Sequence, residues 1–475
     1  MEKIVKDFLK EKGYEDTVDE TQLNKIAEWL KWYSGKTKDY KYKIYNGTKN
    51  VECELKTLNL PSQICNDKSD FIFNEKLDIT FSSPTIDKLI RPVLEANNFL
   101  QSANNLHQLV EALGTGSFVA YLSDGEPKID FVNATNIIPL AYDNDIIIDV
   151  LFWSKKKVKK GTEFYFNLHK LEDIEGKIEE GQATKEYVIY NVKKLVKKGS
   201  EQGTDIDLGD SAVIHTLSSR KKFGIDKTPE VNNIFINSPY GLSTYANATN
   251  IILSADRVYD TLDNEIKLGK KRVYIQAGAS KFNTDTNGNI TPVFDPDDIA
   301  FYLTPDEEGK ELIKESDFKL RVEQLSTALQ VQLNLLSKKV GLGVNGLRYE
   351  NGEVYTNTTN IMSSNSDVYR RLKKQENITT TAIRDLIYGI ADLLDITEDF
   401  DVSVFYDDSI IEDVKETRTQ ASLELSTNLI SKRQYYKDVY KLGDKEAEEF
   451  AKQMAEERAE ELALEPIEEE PEGEF

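Results

Sequence analysis

Residues 242–267, LSTYANATNIILSADRVYDTLDNEIK, decide how this chain is built. Tyr245, Ile252, Tyr259 and Ile266 stand seven residues apart, with Ala248, Ala255 and Leu262 interleaved. That spacing makes a long amphipathic helix whose narrow apolar seam packs against other helices. A second helix is expected over 322–340, where Leu325, Leu329, Leu333, Leu336 and Val340 share a side. Between the two, residues 270–319 read as a small β-containing insertion. It holds VYIQA, a turn at Asn287-Gly288, then DIAFYL, with Pro292, Pro296 and Pro305 along it. Two long helices therefore enclose a compact module.

Downstream, GLGVNGLRYENGEV (341–354) is a Gly-rich connection, followed by a third helical stretch from 359 to 394. Its first half is polar, with Arg370, Arg371, Lys373 and Lys374; its second carries a core stripe of Ile383, Leu386, Ile387, Ile390 and Leu394. DVSVFYDD (401–408) reads as a strand, 410–463 as helix, and EPIEEEPEGEF as an acidic tail too charged to fold alone. Upstream, helices are expected to Tyr33 and over 85–113, ending at Gly114. From 116 to 238 strand-length apolar runs (SFVAYL, KIDFV, IIIDVLFW, FYFNLHKL, YVIYNV, AVIHTL) alternate with turns.

The chain has 475 residues, 60 Lys+Arg against 83 Asp+Glu, and a net charge of -23. Such a chain does not coat nucleic acid along its whole surface, and it suits anionic membranes poorly. No apolar stretch is long enough to span a bilayer. Two cysteines, Cys53 and Cys65, form no CxxC pair, and only three histidines are present. No metal site, cofactor or catalytic residue is expected. GLGVNG (341–346) matches GxGxxG in form, but it follows a helix where a dinucleotide site follows a strand. Asn283, Asp285 and Asn287 start like a calcium loop, yet Phe294 stands where the bidentate Glu belongs. Asp407, Asp408, Glu412 and Asp413 could pair as hydrolase carboxylates, but helix capping accounts for them. The lysine clusters 155–160 and 193–198 read better as solvated charge among acids than as a nucleic-acid patch.

In order and spacing, several segments resemble the portal proteins of tailed bacteriophages, of the siphophage type found with Gram-positive hosts. They are EWLKWYSGK (28–36), LNLPSQICNDKSDFIFNEKLDITF (58–81) and ANNFLQSANNLHQLVEALGTGSFVAYLSDG (96–125). STYANATNIILSADRVYDTLDNEIKLGKKRVYI (243–275), TNTTNIMSSNSDVYRRLKKQENI (356–378) and FYDDSIIEDVKETRTQASLELSTNLISKRQYY (405–436) follow. The likeness runs over about residues 25–445.

The resemblance implies an α+β portal fold. It places an α/β wing at 1–240, stem helices at 241–269 and 320–341, and a small α/β clip at 270–319. A tunnel loop at 342–358, a channel-bordering helix at 359–400 and a helical crown with acidic tail at 401–475 complete it. It further implies a homo-oligomeric ring, dodecameric in the virion, at one capsid vertex, assembled in the host cytoplasm. Double-stranded DNA would pass during packaging and ejection, without sequence readout. The terminase large subunit, a head–tail adaptor, and major capsid and scaffolding proteins would be partners, and no membrane. Channel candidates are Asn345, Arg348, Tyr349, Arg370, Arg371, Lys373 and Lys374; clip and subunit-contact candidates are Val273, Tyr274, Ile275, Phe301 and Tyr302. The alternatives are a ring component of a phage-derived particle and, from a different class, a carboxylate hydrolase.

Overall fold

The computed structural model describes the chain outside residues 1, 15–16, 18, 46–48, 75–76, 124, 175–184, 201, 269–271, 277–281, 285–289, 293–300, 305–312, 317–318, 344–345, 348–357, 407–420, 428, 441–449 and 455–475. Helix and strand are mixed in it, and the chain divides into two units, Met1–Tyr406 and Asp407–Phe475.

Helices dominate the first hundred residues because apolar positions recur there at three and four. Helices α1 (Lys3–Glu11) and α2 (Glu20–Tyr33) open the first unit, and Asp19 caps α2 by accepting from the Thr21 amide at 2.9 Å. A hairpin of β1 (Lys41–Tyr45) and β2 (Asn50–Glu54) follows, then α3 (Leu60–Ile72) and β3 (Asp78–Phe81). The single helix expected over 85–113 is two, α4 (Pro84–Ala96) and α5 (Phe99–Leu113). Asn97 and Asn98 break it. Asn98 takes a left-handed φ of 46°, while the Asn97 side chain donates to Val93 O at 2.7 Å and accepts from the Ile129 amide at 3.1 Å.

Alternating patterns then build β4 (Thr115–Ser123), β5 (Glu126–Asn133), β6 (Ile137–Asp143), β7 (Ile146–Val158), β8 (Gly161–Asp173), β9 (Lys185–Lys197), β10 (Gly203–Ile206), β11 (Val213–His215) and β12 (Phe223–Lys227). Strands β10-β9-β8-β7-β6 form an antiparallel meander with β11 also on β9; β12-β4-β5 form a second sheet. α1 covers the meander, with Phe8 stacked on Phe166 at 4.3 Å among Leu151, Phe164 and Leu168. The lysine clusters fall on β7 and β9 and meet acids: Lys193 reaches Glu163 at 3.1 Å and Lys194 reaches Glu11 at 2.7 Å.

Helix α6 (Thr249–Leu268) begins later than the heptad pattern suggests. Residues 242–248 hold their backbone out of a helix through tertiary bonds, the Leu242 amide to Thr228 Oγ1 (3.2 Å) and the Thr244 amide to Glu111 O (2.9 Å). Then come β13 (Arg272–Gln276), β14 (Phe282–Thr284), β15 (Ile290–Pro292), β16 (Phe301–Thr304) and β17 (Ile313–Ser316). α7 (Val322–Val340), α8 (Thr358–Leu393) and β18 (Val402–Phe405) complete the unit, with β18 paired to β3. α6 and α7 run antiparallel, pinned by Arg321 bidentate on Glu265 at 2.8 and 3.0 Å. Their seam (Ile252, Ala255, Leu329, Leu333, Leu336, Val340) shares one core with Ile26, Trp29, Trp32 and Tyr245. Truncating the fully buried Leu336 to Ala there costs about 2–5 kcal/mol. In the second unit, helix Lys432–Tyr440 and helical residues 421–426 and 450–454 are described. Among the described residues no helix is long and apolar enough to cross a membrane.

Candidate functional site

The end of α7, the connection after it and α8 form one candidate region. Gly341 closes α7 with φ 89°, its amide on Ser337 O, a left-handed cap that any side chain would strain. Room matters as well: a Cβ there would lie 2.6 Å from the Arg371 guanidinium. The first half of α8 exposes Asp367, Arg370, Arg371, Lys374, Asn377, Thr381 and Arg384, a mostly basic stripe. Its members differ in how far their charge is committed. Arg370 pairs with Asp367, Arg371 lies 3.7 Å from Glu230, and Lys373 lies 2.9 Å from Glu376 and over the Tyr369 ring. Lys374 is exposed and makes no ion pair among the described residues. Asn345, Arg348 and Tyr349 lie outside the described residues, as do the carboxylates Asp407, Asp408, Glu412 and Asp413.

The buried side of α8 meets a polar network that sequence reasoning missed. Asp226 on β12 is fully buried; its Oδ2 lies 2.6 Å from His107 Nδ1, and its Oδ1 accepts from Thr379 (3.0 Å) and Gln375 (3.3 Å) of α8. One turn along α5, Glu111 accepts from Lys68 Nζ at 2.8 Å and from the Thr244 hydroxyl, and lies 3.7 Å from His107 Nε2. Burial opposes charge on all of these groups. Asp226 and Glu111 outweigh it at His107 and raise its pKa, while Lys68 and His107 hold Glu111 below the usual carboxylate value. Burial likewise opposes the Lys68 charge, yet Glu111 and Glu230 raise its pKa. The result is a charge-balanced cluster locking α3, α5, β12, α8 and the entry to α6. His107 sits three residues from Asn104 and four from Glu111 on a helix; nothing local in the sequence marks Asp226, 119 residues on, as its partner.

The module between α6 and α7 contains a three-stranded sheet, β16-β13-β17. β13 is central and pairs parallel to β16, with Val273 opposite Phe301 and Tyr274 opposite Tyr302; it pairs antiparallel to β17, with Ile275 opposite Ile313. β14 and β15 pair as a separate hairpin, Thr284 opposite Ile290, flanking the Asn287-Gly288 stretch that lies outside the described residues. Among the described residues no group of His, Cys, Asp and Glu could hold a metal ion.

A family model described as phage portal protein, SPP1 Gp6-like, matches residues 13–462. The chain is similar to one in a structure described as virion of native gene transfer agent (GTA) particle: 9% identity, TM-score 0.42, covering 81% of this chain and 89% of that one. It is similar also to one described as neck of empty GTA particle computed with C6 symmetry: 9% identity, TM-score 0.41, covering 87% and 93%. No curated protein matches the chain.

Proposed function

The chain belongs to the phage portal protein family, SPP1 Gp6-like, and from that premise we propose that it acts as the conduit for double-stranded DNA into and out of a capsid. A portal protein of tailed phages forms a ring at a capsid vertex and is a structural component of the virion. In this reading the chain does no chemistry of its own; a terminase large subunit supplies ATP hydrolysis while docked on the β13–β17 module, and a head–tail adaptor later takes the same surface. Major capsid and scaffolding proteins would contact the ring from outside.

The observation that carries the DNA part is the exposed stripe of α8, where Arg370, Arg371, Lys374 and Arg384 stand out from a strongly acidic chain. A channel for sliding DNA works against tight phosphate binding, because each ion pair with phosphate adds a salt-dependent brake. A few basic residues per copy, repeated around a ring and partly offset by Asp367 and Glu230, suit that requirement. Electron microscopy of the purified chain tests the ring, with a central hole expected. Packaging yield with Arg370→Glu and Lys374→Glu together tests the channel face: rings that form normally with yield reduced support it, and wild-type yield across a salt series overturns it. A monomer that hydrolyses a glycosidic bond would point to the hydrolase instead.

A further inference from the structure

We infer that the β1–β2 hairpin of one copy docks on the outer face of α7 in the next, an inference that rests on the ring reading above. A closed ring of identical chains needs two different, mutually fitting surfaces on opposite flanks of each copy. Within the first unit, α6 has such flanks. The chain just after the hairpin is bound to Asp256, Asp260 and Asp263: the Leu58 amide to Asp256 at 2.8 Å, the Lys56 amide to Asp260 at 3.3 Å, and Lys56 Nζ to Asp263 at 2.6 Å. Tyr42 of β1 lies against the Asp260 carboxylate as well. At about 100° per residue those three aspartates span about 60° of the α6 circumference, and Glu265, which holds Arg321 before α7, stands about 180° from Asp256. The hairpin and α7 therefore flank α6 on opposite sides.

Each flank presents apolar surface outward. α7 uses Leu329, Leu333, Leu336 and Val340 against α6, yet Ala328, Val331 and Leu335 form a second stripe on its far side, with Val331 50% and Leu335 53% exposed. In the hairpin, exposure climbs along β1 from Tyr42 (36%) to Ile44 (49%) and Tyr45 (66%) as the strand leaves α6. A two-stranded hairpin is marginal by itself and gains from a second surface. Charge agrees. The stripe on α7 runs from Glu323 to Lys338 and Lys339, and the hairpin carries Lys41 and Lys43 opposite Glu54 and Glu52. A second copy thus supplies both an apolar strip and charges of each sign where the hairpin needs them.

Cysteine pairing in the full chain tests this directly. Ile44→Cys with Leu335→Cys, in a Cys53→Ser background, should give under oxidation a covalent ladder of many chains on non-reducing gels. Each single-cysteine variant should give none. Ile44→Glu and Leu335→Glu should each abolish rings in native mass measurement while far-ultraviolet circular dichroism stays unchanged, and Ile44→Lys with Leu335→Glu should restore them. Wild-type rings without a ladder, or a ladder that stops at a dimer, overturn the inference and leave the ring reading standing. A wild-type chain that stays monomeric overturns the ring and this contact with it.

Discussion

His107 shows how one residue ties distant parts of the chain together. It joins Asp226 and Glu111 in a fully buried cluster, with Lys68, Gln375, Thr379 and Thr244 completing the bonding. Breaking one partner of a buried ionic group costs about 3–5 kcal/mol, so His107→Gln should lower stability by that order near pH 6. The pH dependence has a definite sign. The folded-state pKa of His107 is raised above 6.5, so its contribution is complete below 6.5 and disappears as pH rises through the folded value. Denaturant titrations should show wild type and His107→Gln converging as pH climbs; a gap that widens would contradict the assignment. Burial, with Lys222 nearby, pulls His169 the other way, to about 3. Its contribution is lost as pH falls from 6.5 towards 3, so His169→Gln should flatten the acid limb of the stability profile.

At the scale of elements, β12 and α8 approach so closely that only glycine fits between them. A Cβ on Gly224 would lie 1.9 Å from the Ala382 carbonyl oxygen, backbone against backbone. Gly224→Ala should cost about 3 kcal/mol through overpacking and raise amide exchange in the Thr379–Ile390 part of α8, leaving β7–β9 unchanged. Equal loss of protection in both would mean that α8 is not docked through β12. The module between α6 and α7 obeys a different constraint. Parallel strands need a crossover of about a dozen residues or more, and β13 and β16 are parallel. Deleting 282–292, the β14–β15 hairpin, leaves enough chain to close the sheet, whereas deleting 277–300 does not. The shorter deletion should retain rings and the longer one should weaken their cohesion and motor docking; identical behaviour would remove the sheet from any role in assembly.

For the whole molecule, repetition around a ring turns single charges into belts. Arg348 follows the glycines of 341–346 between two helices, and we expect its belt to face phosphate without reading bases, because no groove-reading element accompanies it. Arg348→Glu should therefore leave oligomer mass unchanged and alter packaging yield or DNA retention. Variant chains that fold but fail to assemble would make this segment an assembly element instead.

Heptad spacing from Tyr245 to Ile266, the Leu325–Val340 stripe and the alternating runs after Gly116 made the helix pair and the strand-rich region legible, because each is a local periodicity facing a core. The order of segments also made the family legible, and the match over residues 13–462 agrees. Local pattern could not place the break at Asn97–Asn98 or the late start of α6, since both are decided by amides and side chains bonded to strands and helices far along the chain. Nor could it pair His107 with Asp226, set Gly224 against Ala382, or put the hairpin and α7 on opposite flanks of α6. Periodicity reports which face of an element is buried. What that face is buried against is a through-space fact, and only the tertiary structure supplies it.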